Sequence, residues 1–177
     1  MKDALAIHRA LLELEALHEI VRLPVALVHA DELPKALGLP ADRCLVTRVY
    51  ACDGRDRAFL TGVIVPAGER PSTDAVRRVV GADAVHPARA DVVNAVTEYA
   101  AGLVCPLLLP DDMPLLIDQR LVDGHPADKV VYTATGEAST ALGIRGRTLY
   151  GLCHAEPSVL FRGSSLATRT EPRHTVV

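Results

Sequence analysis

The chain has 177 residues, 49% of them apolar and 23% charged, with a formal net charge of −3. A single domain of this size buries roughly 70% of its extended-chain surface and needs no disulfide or metal staple. These values exclude a disordered chain, and the mild acidity excludes a protein that coats nucleic acid through general basicity.

Residues 2–18 space Leu5, Ile7, Leu11, Leu12 and Leu14 at helical intervals, with Arg9, Glu13 and Glu15 opposite, which predicts an amphipathic helix. Residues 19–28 read as β-like, broken by Pro24, as an edge strand would be. Asp31 is placed to cap a short helix that Gly38 ends. Residues 43–52 and 59–65 are β-rich and flank Asp53-Gly54, which predicts a hairpin. Ser72 caps a helix that Gly81 ends, and Asp91 caps another that stops near Tyr99. Between those two helices residues 84–86 read as a short extended piece before Pro87; 115–117 and 130–133 read as two more strands, and 147–153 as a final short helix. From residue 155 periodicity fades, so 1–154 read as the domain and 155–177 as a loose or partner-dependent tail. Irregular alternation with at least one hairpin predicts a single compact α/β domain with a mixed, barrel-like sheet ringed by helices.

Four cysteines, Cys44, Cys52, Cys105 and Cys153, form no Cys-x-x-Cys pair, and no histidine sits at zinc spacing from them. No metal or cofactor site is therefore expected. The absence of a disulfide pattern, a signal peptide or a membrane-length apolar run points to a cytoplasmic protein without membrane attachment. The common nucleotide, phosphate, hydrolase and metalloprotease motifs are missing. The seven histidines are scattered, with none beside an evident nucleophile.

Two places carry chemical interest. Arg43 opens the first long strand, and a loop runs Gly102-Leu103-Val104-Cys105-Pro106 after Thr97-Glu98-Tyr99. A glycine that can adopt unusual dihedrals, followed by a proline that stiffens the exit, can aim successive amides into a hollow. Such amides can hold a carbonyl oxygen as it gains negative charge. Cys105 within that loop invites a nucleophile hypothesis beside a role as pocket wall.

The order of segments RCLV (43–46), VPAG (65–68), TEYAAGLVCP (97–106), LLID (115–118) and VVYTATGE (130–137) resembles the YbaK/ProX-type aminoacyl-tRNA deacylases, relatives of the bacterial prolyl-tRNA synthetase editing domain. The resemblance covers roughly residues 5–153. It implies that family's fold and metal-free hydrolysis of the ester joining a small or near-cognate amino acid to the 3′ adenosine of tRNA. Arg43 and the loop Gly102, Leu103, Val104 and Cys105 would then form the catalytic set, with Thr97, Tyr99, Pro106, Thr135, Gly136 and Thr140 around the substrate. The partner would be the 3′ end of aminoacyl-tRNA, with or without a synthetase, and the protein a monomer or homodimer. The chain departs from the family pattern at four positions: Arg43 replaces a lysine, Leu103 a glycine, Cys105 a serine and Ala141 an aspartate. Arginine keeps the charge but cannot release its proton at working pH. A catalytically inactive relative that binds a nucleotide, an aminoacyl group or a protein is the alternative. Arg48, Arg70, Arg77, Arg78, Arg145 and Arg147 are further candidates for contact with tRNA.

Overall fold

The computed structural model describes residues 1–124 and 128–162. Helix α1 (Ala4–Glu13) starts at Asp3, whose carboxylate accepts the Ala6 amide, and buries Ala4, Ile7 and Leu11. Strand β1 (His18–Arg22) stops short of Pro24 and lies at one end of the sheet, as an edge strand should. Helix α2 (Leu33–Leu37) ends at Gly38. The expected cap differs: His29, not Asp31, closes the preceding 3-10 turn, with Glu32 completing a reciprocal capping box. Asp31 is engaged elsewhere, as described below.

The hairpin is long. Strand β2 (Cys44–Asp53) pairs antiparallel with β3 (Ala58–Pro66) over nine residue pairs, Leu45–Pro66 to Asp53–Ala58. Helix α3 (Thr73–Val80) is capped by the Ser72 hydroxyl. Strand β4 (Ala84–Pro87) adds to the far half of β2, and α4 (Ala90–Thr97) follows. Strand β5 (Leu115–Asp118) pairs parallel with β3, and α5 (Gln119–Gly124) follows it. Strand β6 (Val130–Ala134) pairs parallel with the first residues of β2. A strand absent from the sequence reading, β7 (Thr140–Arg145), lies between β6 and β1. Helix α6 (Gly146–Cys153) leads to β8 (Glu156–Ser158), which pairs with β5.

The result is one mixed sheet in the order β1-β7-β6-β2-β3-β5-β8, with β4 beside β2 and helices around it. Residues 155–162, read from the sequence as the start of a loose tail, belong to this fold. Leu160 is buried with Val63, Val65 and Val76, and Phe161 stacks 4.3 Å from the Arg120 guanidinium. Arg120 in turn bonds Asp118 and Glu69, so the segment closes over a paired cation. Residues 163–177 lie outside the described residues. Among the described residues no helix is long and apolar enough to cross a membrane, and no group of three or more His, Cys, Asp or Glu could hold a metal ion.

One feature of the sheet positions the site. Along one edge, β2 pairs with β6 only at Cys44 and Leu45, and with β4 only from Tyr50 onward. Between them residues 46–49 have no strand partner on that edge among the described residues. The Val49 carbonyl accepts the Ala88 amide, and because backbone groups alternate along a strand, Thr47 points its own N–H and C=O to the same side. The sheet is split there, and residues 47–50 line a cleft together with Gly102 and Val104.

Candidate functional site

The loop is held at both ends. In α4 the buried Thr97 hydroxyl donates to the Val93 carbonyl at 2.7 Å and accepts the Tyr99 amide at 3.1 Å. The Tyr99 ring is fully buried and its hydroxyl donates to the Leu107 carbonyl at 2.7 Å, bridging the loop from entry to exit. From outside, Lys2 clasps the same ends: its Nζ donates to the carbonyls of Thr97 and Leu108 and sits 5.4 Å from the Tyr99 ring centre. Thr97 and Tyr99, expected around the substrate, therefore act as the frame of the loop.

Within this frame Gly102 adopts φ +84°, a backbone state that favours glycine. Its carbonyl accepts the Ala30 amide at 2.8 Å, which pins the loop to the turn bearing His29. A Cβ on Gly102 would lie 3.1 Å from His29 Cδ2 and 3.2 Å from the Val28 carbonyl oxygen. The Leu103 amide donates to the Ala100 carbonyl at 3.0 Å, whereas those of Gly102 and Val104 meet no acceptor among the described residues. Buried amides are nearly always paired, so the free one of buried Val104, beside that of half-buried Gly102, marks a place where an acceptor can sit.

Those two residues line a cleft of about 160 Å³ together with His29, Thr47, Arg48, Arg70 and Val93. The electrostatics are organised around Asp31. Its carboxylate takes Arg48 Nη2 at 2.8 Å, Arg48 Nη1 at 3.2 Å, the Gly68 amide at 2.8 Å and Arg70 Nη2 at 3.5 Å. Burial pushes the Asp31 carboxyl up, but the Arg48 hydrogen bonds, the Gly68 amide and the Arg48 charge outweigh it and hold the group below the usual carboxylate range. Arg48 is buried, and its Nε donates to the Glu69 carbonyl at 2.8 Å. It is the structural partner of Asp31. Arg70 is largely exposed, and among the described residues its one side-chain contact is the long one to Asp31, which leaves most of its donors free there.

The other expected site residues are distributed. Arg43 Nε donates to the Val130 carbonyl at 2.6 Å, and Arg43 does not line the Gly102 cleft. Leu103 is buried against Cys44, Val46, Ala134 and Ala141, on the side of the loop away from the cleft lining. Cys105 is fully buried in the main core, and burial pushes its thiol up to about 12, so a thiolate nucleophile does not form at neutral pH. Pro106 borders a separate surface cavity of about 600 Å³ with Leu109, Met113 and His154. The Thr135 and Thr140 hydroxyls bond each other at 2.7 Å, and Thr140 also bonds Glu137. Gly136 packs against the Lys2 carbonyl and the Tyr99 ring. The structure thus brings Gly102 and Val104 together at the cleft, sets Leu103 and Cys105 behind them, and leaves Arg43 elsewhere. Sequence reasoning missed His29 as a site residue. The available signal was weak: an isolated histidine two residues before an aspartate.

The mixed α/β fold is shared with solved structures. The hypothetical protein APE2540 matches with a TM-score of 0.74 at 20% identity, over 87% of this chain and 97% of that one, which shows the common fold. A candidate trans-editing enzyme for prolyl tRNA synthetase matches with a TM-score of 0.67 at 25% identity, over 82% of this chain and 87% of that one. No curated protein matches the sequence at a significant level. The model of the aminoacyl-tRNA editing domain matches residues 26–150, a span that holds both the His29 turn and the Gly102 loop. The chain belongs to the aminoacyl-tRNA editing domain family.

Proposed function

We propose that this protein is a trans-editing enzyme that hydrolyses the ester between a small or near-cognate amino acid and the 3′ adenosine of tRNA, as the family resemblance implies for alanine or cysteine on proline tRNA. The observation that carries this reading is the pair of unengaged amides in Gly102 and Val104, two residues that line a cleft beside the split in the sheet. The cleft volume of about 160 Å³ suits a small acyl group with part of its ribose. A water attacks the acyl carbon, and the carbonyl electron pair moves to oxygen, where the two amides meet the developing charge. The C–O bond to the 3′ oxygen then breaks. That oxygen takes the water proton, directly or through the neighbouring 2′-hydroxyl, and the free amino acid leaves. Arg70, exposed with free donors, meets the terminal phosphate. No side-chain nucleophile and no metal enter these steps. A second sieve of this kind answers a real need, because one methylene is worth only about 1–3 kcal/mol in a binding pocket.

Two observations favour a second reading, a binding relative without turnover: Arg43 stands at the family lysine position with its Nε on Val130, and Leu103 fills space behind the loop. Incubation with a panel of tRNAs mischarged with alanine, cysteine, serine or threonine separates the two. Deacylation above the spontaneous rate for at least one small residue supports the enzyme. Binding of a non-hydrolysable aminoacyl-adenosine without turnover of any member supports the second reading.

A further inference from the structure

His29 is the neighbour of Gly102 in the cleft. Its ring edge abuts Gly102, with Cδ2 at 3.1 Å from the position of a Cβ there, and the imidazole lines the same cleft as the free amides. The Ala30 amide on the Gly102 carbonyl fixes the two chain segments against each other. The ring is also oriented: Nδ1 accepts the Asp31 backbone amide at 3.0 Å, and a backbone amide always carries its hydrogen. Asp31 Oδ2 also lies 3.1 Å from Nδ1 but is not aligned for a hydrogen bond with the ring, so the amide contact, which needs a lone pair on Nδ1, favours the neutral tautomer with its proton on Nε2. Nε2 has no partner among the described residues, and about a third of the side chain is open to solvent. The groups around the ring are Asp31, Glu32, Arg48 and Arg70, and burial with the two guanidiniums outweighs the two carboxylates and holds His29 below its ordinary value.

We propose that His29 is a catalytic residue of this site: its Nε2–H donates a hydrogen bond to the acyl oxygen alongside the amides of Gly102 and Val104. This rests on the deacylase reading above. Because Nε2 already holds the proton, the ring acts as a neutral donor and does not take the proton of the attacking water. Asp31 is the positioning residue. Its backbone amide sets the tautomer, and its carboxylate, clamped by Arg48 and Gly68, holds the turn in place.

The test combines kinetics with an observation that does not need turnover. In ¹⁵N NMR of the full chain, His29 is expected as the Nε2–H tautomer at pH 7.5, and its Nε2–H resonance should move on addition of an amide-linked aminoacyl-adenosine. His29→Ala should lower kcat by about 10- to 100-fold with KM changed less than about 3-fold. His29→Gln, which restores an N–H donor, should recover most of that loss. The proposal is overturned by an Nδ1–H tautomer, by a His29→Ala enzyme as fast as the parent, or by an equal loss in both variants with an unmoved resonance. If the parent neither turns over nor binds the analogue, the deacylase reading fails and this inference with it. If the parent turns over normally while the variants behave as just described for failure, only the role of His29 falls.

Discussion

Replacing Gly102 by alanine perturbs the site at one atom. At φ +84° a residue with a Cβ carries backbone strain on the order of 1–3 kcal/mol. The added carbon would also stand 3.1 Å from His29 Cδ2 and 3.2 Å from the Val28 oxygen, closer than ordinary contact. Neither neighbour can retreat freely, since the Ala30–Gly102 hydrogen bond ties their turn to the loop. Relief must come from rotating the loop, and the Gly102 and Val104 amides rotate with it. For a domain of this size, 1 kcal/mol moves the melting temperature by roughly 2–4 °C, so Gly102→Ala should melt about 2–12 °C lower and remain folded by circular dichroism at 25 °C. Deacylation should fall by about 100-fold or more, the usual effect of displacing oxyanion donors. Gly102→Val should abolish it. A Gly102→Ala protein with parental melting and parental turnover would refute both the strain argument and the amide cradle.

Asp31→Asn removes the charge facing the buried Arg48 guanidinium, and such half-pairs cost about 3–5 kcal/mol when fully buried, less here because Asp31 is partly exposed. The folded Asp31 pKa is depressed, so this stabilisation is complete above the unfolded value of about 4 and fades as pH falls through the folded one. Melting curves of parent and variant should therefore differ most at neutral pH and converge in acid; a constant gap would contradict the pairing. Cys105, with its thiol raised to about 12, should resist alkylation in the native protein at pH 8, and Cys105→Ala should keep turnover, whereas rapid labelling would place it in an open pocket. Leu160→Ala should cost about 2–4 kcal/mol by urea unfolding, because the residue is buried against β3 and α3; an unchanged midpoint would detach 155–162 from the fold.

The sequence made the local frame readable and the long-range pairings less so. The β2–β3 hairpin followed from alternation around Asp53-Gly54, and α3 from Ser72 and Gly81, because those signals lie within a few residues of each other. Strand β7 escaped because Gly143 weakens its β pattern. The glycine is required by packing, since a Cβ there would lie 2.8 Å from both the Glu19 and Tyr132 side chains. Strand β8 has three residues, one of them proline, and exists only through its register with β5. At the site, the loop was legible from Gly102 and Pro106, as was its family from the order of motifs. His29 was not, because it joins the loop through the Ala30 amide over a sequence distance of about seventy residues. Asp31 looked like a cap, and only the fold shows Arg48 and Gly68 converging on its carboxylate.

Arg43 offers the sharpest separation between the family position and the cleft described here. Its Nε lies on the Val130 carbonyl at the start of β6, and Arg43 is not among the residues that line the cleft, which β2 enters with Thr47. An arginine outside the cleft lining does not touch an acyl group beside Gly102, so Arg43→Lys should change kcat/KM by less than about 3-fold, with the charge kept and one backbone bond altered. Arg70→Ala, at the cleft, should instead raise KM for tRNA and flatten its salt dependence, because a phosphate contact is lost. An increase in turnover of tenfold or more on restoring lysine at 43 would mean that the acyl group binds at that end of β2, with the Gly102 amides serving another part of the substrate. Unchanged KM in Arg70→Ala together with that gain would move the whole site, and the role given to His29 would go with it.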